Sequence, residues 1–347
     1  MKGPFFSVII PCYNTKPDNI KILLTSILDQ EDISKSEIEV IISDDCSTDK
    51  EYLKIVDAFR PYLSINLVKT DENAIHCPGN NRENGVRHAN GQWITFIDHD
   101  DLFTADCFKS VKDAIESSGE QYMASAFFAE VDPVCYTHIL QRFEYRLSWL
   151  HGKFYNLENF WKARNIHFIK DLYTHEDMAI STQVECELNK LGRPSPLHVE
   201  MIGYLWRAMP DSLSRQDGYG FLNQHMDDYI YSTGGLYLKD YKERGNNSVV
   251  DFYFKYCVDV ILHAYFYMQY FVFVDRNGDH ENNFNICSDF IKDVCDTFGK
   301  SLDDIYDASA ENNAFLYNRS RNEACVAIGN MIEQQSFKNF LERRNIC

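Results

Sequence analysis

At 347 residues the chain is too long for one small core and fits one large α/β domain with a smaller appendage. Apolar residues make up 45% of it and charged residues 25%, ordinary globular values that exclude disordered and fibrous architectures. A formal net charge of -18 with no concentrated basic patch argues against nucleic acid as a partner, and any phosphate-bearing ligand would need a local arginine or metal cation set against the general field.

The first residues, Met1-Lys2-Gly3-Pro4, run directly into an apolar segment with no secretion signal, so the expectation is a cytoplasmic protein. Phe6 to Pro11 is a β-branched run, and Ile20, Leu23, Leu24, Ile27 and Leu28 follow at helical spacing after a polar turn. Ile38 to Ser43 repeats the strand pattern and ends in Asp44-Asp45, and Tyr52, Leu53, Val56 and Phe59 repeat the helical stripe. Trp93 to Ile97 predicts a buried strand, Cys107 to Ile115 a helix and Tyr122 to Phe128 another strand. Leu157 to Arg164 and Glu176 to Leu191 read as helices, the second ended by Gly192 and Pro194, and Leu197 to Trp206 as strand-like.

Beyond Tyr219 the chain is rich in Tyr, Phe and Asn with helical stretches and no internal repeat. Phe252 to Val274 is apolar enough to be weighed as a membrane span, but Lys255, Asp259 and His263 recur every four residues and would line one face of a buried helix. The reading is a domain over 1–218 and a helical domain over 219–347, the latter open to self-association or to contact with the inner face of a membrane. Eleven cysteines stand singly without zinc-type spacing, which suits reduced thiols.

Strands alternating with helices predict a mostly parallel sheet whose ligand-binding loops leave the carboxyl ends of the strands. Polar residues gather there: Tyr13-Asn14, Asp44-Asp45 and Asp98-His99-Asp100-Asp101 each follow a predicted strand. Carboxylates crowded into one volume are costly without a cation, and a hard divalent ion such as magnesium or manganese takes oxygen ligands while keeping positions open for phosphate. The structural alternative is a solvated acidic turn capping the next helix at Asp101 or Thr104.

Ser7-Val8-Ile9-Ile10-Pro11-Cys12-Tyr13-Asn14, Ile41-Ile42-Ser43-Asp44-Asp45-Cys46-Ser47-Thr48-Asp49 and Asp98-His99-Asp100-Asp101, in this order and spacing, resemble the signature series of inverting family 2 glycosyltransferases with the GT-A fold. The resemblance covers residues 5 to 215. It implies a Rossmann-like α/β sheet flanked by helices, with a mainly helical C-terminal appendage. It implies Mn2+ or Mg2+ held by Asp98, Asp100 and Asp101, and a UDP-sugar donor held by Pro11, Tyr13, Asn14, Asp44, Asp45 and Asp98. The acceptor would be a hydroxyl of a glycan or a lipid-linked surface-polysaccharide precursor. A tyrosine ring can stack on a pyrimidine, and a carboxylate can accept from its ring imide.

Gly79-Asn80-Asn81-Arg82-Glu83-Asn84-Gly85 resembles the family's glycine and arginine stretch, which makes Arg82 a diphosphate contact, although Glu83 stands where asparagine is usual. His175-Glu176-Asp177 resembles the family's Glu-Asp pair at a helix start, with Asp177 as the base that takes the acceptor's proton and Glu176 as the neighbour that tunes its pKa or holds the acceptor. Tyr204-Leu205-Trp206-Arg207 with Ser212-Leu213-Ser214 resembles the closing element, Arg207 offsetting charge on departing UDP. Met209 stands where many relatives carry a histidine that is a metal or phosphate ligand, leaving His198 or water as a substitute. Two other readings stay open. A nucleotidyltransferase would want a glycine-rich basic loop after the first strand, which Pro11 to Asp18 lacks. A catalytically degenerate binding module would have little reason to retain the paired acids.

Overall fold

Two fully buried strands, β1 (Phe6–Cys12) and β2 (Ile38–Asp44), lie side by side and parallel within the sheet. Their near-continuous apolar runs are what a strand covered on both faces requires. Alternate side chains diverge: Val8 and Ile10 pack with Ile20, Leu23, Leu24 and Ile27 of α1 (Pro17–Leu28) and with Val56 of α2 (Tyr52–Phe59). Ile9 and Ile41 pack on the opposite face. The computed structural model describes residues 3–71, 75–144, 149–172, 174–193, 195–210, 225–244, 250–274 and 280–312.

After β3 (Ser64–Lys69), α3 (Pro78–Arg87) and β4 (Trp93–Phe96) come β5 (Leu102–Phe103), α4 (Cys107–Ser118), β6 (Met123–Val131), β7 (Ile139–Phe143), β8 (Lys153–Asn156), α5 (Glu176–Lys190) and β9 (Leu197–Arg207). The strand order is β3-β2-β1-β4-β8-β6-β9-β5, with β7 paired to β6. The expected parallel array holds for β3-β2-β1-β4. The other half is mixed, because β8 meets both β4 and β6 antiparallel while β6 and β9 run parallel. There the chain returns from β6 through the exposed hairpin strand β7 instead of a helical crossover.

The helix expected over Leu157 to Arg164 is a single π-helical turn, Leu157–Lys162, capped by Asn156, whose side chain accepts from the Asn159 N–H at 2.8 Å. No periodicity announced β3, α3, β5, β7 or β8. The aromatic residues around β8 are packed inside: Phe154, Tyr155 and Trp161 are core, and Trp149 packs against Phe128, Phe143 and Trp206.

The chain divides into two compact units, Met1–Gln216 and Asp217–Cys347. The described part of the second consists of α6 (Met226–Arg244), α7 (Val250–Val274), α8 (Glu281–Phe298) and α9 (Leu302–Asn312). Its buried Tyr253 hydroxyl donates to Asp240, and a Cβ on Gly234 would stand 2.2 Å from the Phe290 ring, so α6 and α8 meet through a glycine. Among the described residues no helix is long and apolar enough to cross a membrane.

Candidate active site

The loops after β1 and β2 are laced together. The Asp45 N–H donates to the Cys12 carbonyl at 2.8 Å, and the Asn14 N–H to Ser47 Oγ at 2.9 Å. Asn14, at φ 45°, accepts on Oδ1 from the N–H groups of Thr48 at 2.9 Å and Asp49 at 3.0 Å. Its side chain is thereby occupied in joining the loops, a task an asparagine in the left-handed region performs well. Pro11 is buried in β1 opposite Ser43. Asp44 and Asp45 are buried at the end of β2, whereas Tyr13 is 56% exposed and free to meet a ligand.

Pairing with β1 continues one residue past β4, as the Ile97 N–H donates to the Ile9 carbonyl at 3.1 Å, and the chain then turns with the Asp101 N–H on the Asp98 carbonyl at 3.1 Å. This turn splits the aspartates by role. Asp101 is 1% exposed and accepts from the Tyr204 hydroxyl and, at 2.8 Å, from the Arg207 N–H, which ties the turn to β9. Burial, then the charges of Asp100 and Asp98, push its carboxyl well above the ordinary value. Burial also raises Asp100, with His99 opposing and Asp98 adding to the shift.

Ligand atoms of Asp98, Asp101 and His151 lie within 4.8 Å of one another. Asp100 is outside that group, contrary to the expected trio of Asp98, Asp100 and Asp101, since the buried turn directs Asp101 inward beside Asp98. His198, the expected substitute, instead bonds Ser195 Oγ through Nε2 at 2.7 Å at the exposed start of β9. His151, just before β8, carried no sequence signal, because only the antiparallel return of β8 beside β4 brings it to the acidic turn. Its ring lies against Tyr204 and Trp206, its buried Nδ1 has no hydrogen-bond partner among the described residues, and burial lowers its pKa to about 4 despite Asp98. A neutral imidazole with an unsatisfied nitrogen beside two carboxylates is a donor set that fits a divalent ion such as manganese or magnesium.

Arg82 projects from the buried face of α3 and joins two parts of the site: Nη2 meets Asp98 Oδ1 and Nη1 meets Glu176 Oε1, each at 2.6 Å. Burial opposes its charge, but the two carboxylates hold it protonated. Burial alone would raise Asp98, yet Arg82 beside it holds that carboxyl below the ordinary value. The two glycines of the arginine stretch set the approach of α3. A Cβ on Gly85 would stand 2.5 Å from Ile9 in β1, and one on Gly79 3.2 Å from Glu176.

Glu176 and Asp177 form the first turn of α5, after His175 at φ 58°. Desolvation and the adjacent Glu176 push Asp177 up to about 7, and the Met178 N–H, Arg82 and Lys153 oppose only part of that shift. The helix start therefore carries a carboxyl poised near neutral pH. Lys153, which the sequence reading missed, is a buried lysine on β8 whose pKa burial lowers to about 7 while Asp177 opposes.

Arg207 departs from expectation. It is buried, and its guanidinium donates to the Asp100 carbonyl at 2.9 Å, to Asn19 Oδ1 at 3.1 Å and to the Pro133 carbonyl at 3.1 Å. These bonds employ it in holding the acidic turn against β9. Met209 follows β9, and Ser212-Leu213-Ser214 lies outside the described residues.

Residues 7–173 match the family model described as glycosyl transferase family 2. The chain is 29% identical over 198 residues to the poly(ribitol-phosphate) beta-N-acetylglucosaminyltransferase TarS of Staphylococcus aureus, covering 54% of this chain and 33% of that protein. It is 35% identical over 109 residues to the putative teichuronic acid biosynthesis glycosyltransferase TuaG of Bacillus subtilis, covering 30% of this chain and 38% of that one. The chain thus spans well under half the length of these relatives. The crystal structure of S. aureus TarS 1-349 in complex with UDP-GlcNAc superposes with a TM-score of 0.68 at 19% identity, covering 96% of this chain and 91% of the other, which establishes the shared GT-A architecture with its helical C-terminal region. The match to glycosyl transferase family 2 thus spans residues 7–173, a little under half of the chain.

Proposed function

We propose that the chain is a divalent-metal-dependent, inverting glycosyltransferase that moves a sugar from a UDP-sugar to a hydroxyl of a surface glycan. The observation that carries this reading is Arg82 spanning Asp98 and Glu176, which joins the acidic turn to the base at the start of α5. Asp98, Asp101 and His151 are the residues that would hold the metal ion, and such an ion supplies countercharge for a diphosphate in an otherwise anionic molecule.

In the reaction the acceptor oxygen attacks the anomeric carbon from the face opposite the diphosphate. Its O–H bond breaks as the carbon–oxygen bond forms, and the proton passes to the Asp177 carboxylate while the bond from the anomeric carbon to the phosphate oxygen breaks. Asp177, raised to about 7, is a stronger base than an ordinary carboxylate and is about half ionised at neutral pH and increasingly so above it. Tyr13 offers an exposed ring to the base and Asp45 an acceptor for its imide N–H, with Pro11, Asn14 and Asp44 framing that end of the cradle. Arg82 is positioned to turn from its carboxylates to the diphosphate.

The TarS name and its UDP-GlcNAc complex make UDP-GlcNAc the first donor to try. The test is a hydrolysis screen over UDP-, GDP- and dTDP-sugars with manganese, together with thermal melting. The expected result is UDP-sugar turnover and a melting temperature raised by Mn2+ and UDP together. A folded protein that shows neither would refute the reading.

A further inference from the structure

Two side chains converge on one carboxylate oxygen at the donor end of the cradle. Asp45 accepts on Oδ1 from the Thr70 hydroxyl at 2.7 Å and, on the same atom, faces His76 Nδ1 at 3.0 Å. Thr70 follows β3 and His76 precedes α3, so separate segments reach across to a carboxylate held on the loop after β2. A carboxylate at neutral pH only accepts, which requires His76 to carry a proton on Nδ1. Among the described residues no hydrogen bond is made to Oδ2. The Asp45 side chain is only 7% exposed, with His76, 45% exposed, above its Oδ1 and Tyr13, of the neighbouring loop, open to solvent.

We propose that His76 is a positioning residue for donor-base specificity: with Thr70 it pins Asp45 Oδ1, so that Oδ2 is left to accept from an imide N–H of the nucleobase. Uracil carries that N–H at N3. Cytosine, of the same ring size, presents a lone pair there, which would face the carboxylate's own. A carboxylate free to rotate would lose this contrast, because either oxygen could withdraw and admit water between itself and the ring. The inference rests on the nucleotide-sugar reading and adds to it a residue outside the family's signature stretches.

The test is calorimetric titration of the full chain with UDP and with CDP, in the presence of Mn2+, for the wild type, His76→Ala and His76→Asn. The asparagine amide places an N–H where Nδ1 stands. The wild type is expected to prefer UDP, and His76→Ala to lose about tenfold in that preference, the scale of one hydrogen bond to a charged group. His76→Asn is expected to keep most of it. An unchanged UDP-to-CDP ratio in the alanine variant would overturn the proposal, as would equal losses in both variants, which would mark a packing role. A folded wild type that binds neither nucleotide would instead overturn the donor reading on which the proposal stands.

Discussion

Asp177 is where burial and charge can be turned into rates. Its proton must be absent for it to act as a base, so kcat/KM is expected to fall as pH drops below about 7, a limb that an unperturbed aspartate would place near pH 4. The same shift has a stability sign. A carboxyl raised on folding contributes stability that is fully present below its unfolded value and is lost as pH rises through about 7. Asp177→Asn is therefore expected to lose roughly 10²–10⁴-fold in kcat, the range for a general base, while its melting temperature at pH 8 is no lower than the wild type's. Rate assays and melting scans at pH 6 and 8 check both halves. A second residue-scale expectation concerns Arg82. Arg82→Met leaves Asp98 and Glu176 facing each other without a cation, a loss below the roughly 3–5 kcal/mol of a fully buried pair, because the Asp98 side chain is 39% exposed. Denaturant titration reads it, and Arg82→Lys should recover part of the stability but not the two-pronged contact. A third concerns His151. His151→Ala is expected to weaken Mn2+ binding at least tenfold, measured by titration of the ion alone.

At the scale of elements, the helix that carries Arg82 depends on a glycine. Gly85→Ala would put a methyl group 2.5 Å from Ile9 in the central strand, so α3 must move outward or β1 must bend. Overpacking of this kind costs about 1–3 kcal/mol, and because Arg82 lies one turn away on the same face the variant should lose activity out of proportion to stability. Turnover compared with unfolding free energy would separate the two losses. The sequence announced this segment by its glycines and arginine and not by periodicity, since α3 has few apolar residues and its buried face includes Gly79, Asn81 and Arg82. β1, β2 and β4 were legible as buried apolar runs and α4 as an apolar stripe, whereas α5, which also buries Ser181, Thr182 and Glu185, was legible from the Gly192 and Pro194 that end it. β3 and β7 lie at exposed edges and β8 is four residues long, so none offered a pattern to count. The site was legible to the same degree. Residues at strand ends were found from their position, whereas His151, Lys153 and His76 enter only through the register of β8 and the loop before α3, which local spacing does not encode.

For the molecule as a whole, the charge balance sets a problem that the site must solve. A chain with a formal net charge of -18 repels a nucleotide diphosphate at long range, and the two arginines of the site are occupied: Arg82 between two carboxylates, Arg207 on the frame of the acidic turn. Attraction is then confined to short range, to whatever cation the acidic turn holds and to Arg82 once it is released. Salt screens the two contributions unequally, because the Debye length is about 10 Å at 0.1 M and contacts within the site lie well inside it. Added salt should weaken the long-range repulsion first. The association rate constant for UDP with the Mn2+-loaded protein is accordingly expected to rise as NaCl increases from about 20 to 150 mM, opposite to an enzyme that steers its anionic substrate with a basic surface. Stopped-flow binding over that range decides the matter. A rate that falls steadily with salt would mean that the cradle presents a positive local field strong enough to reach solvent, and that capture of the diphosphate does not wait on the metal.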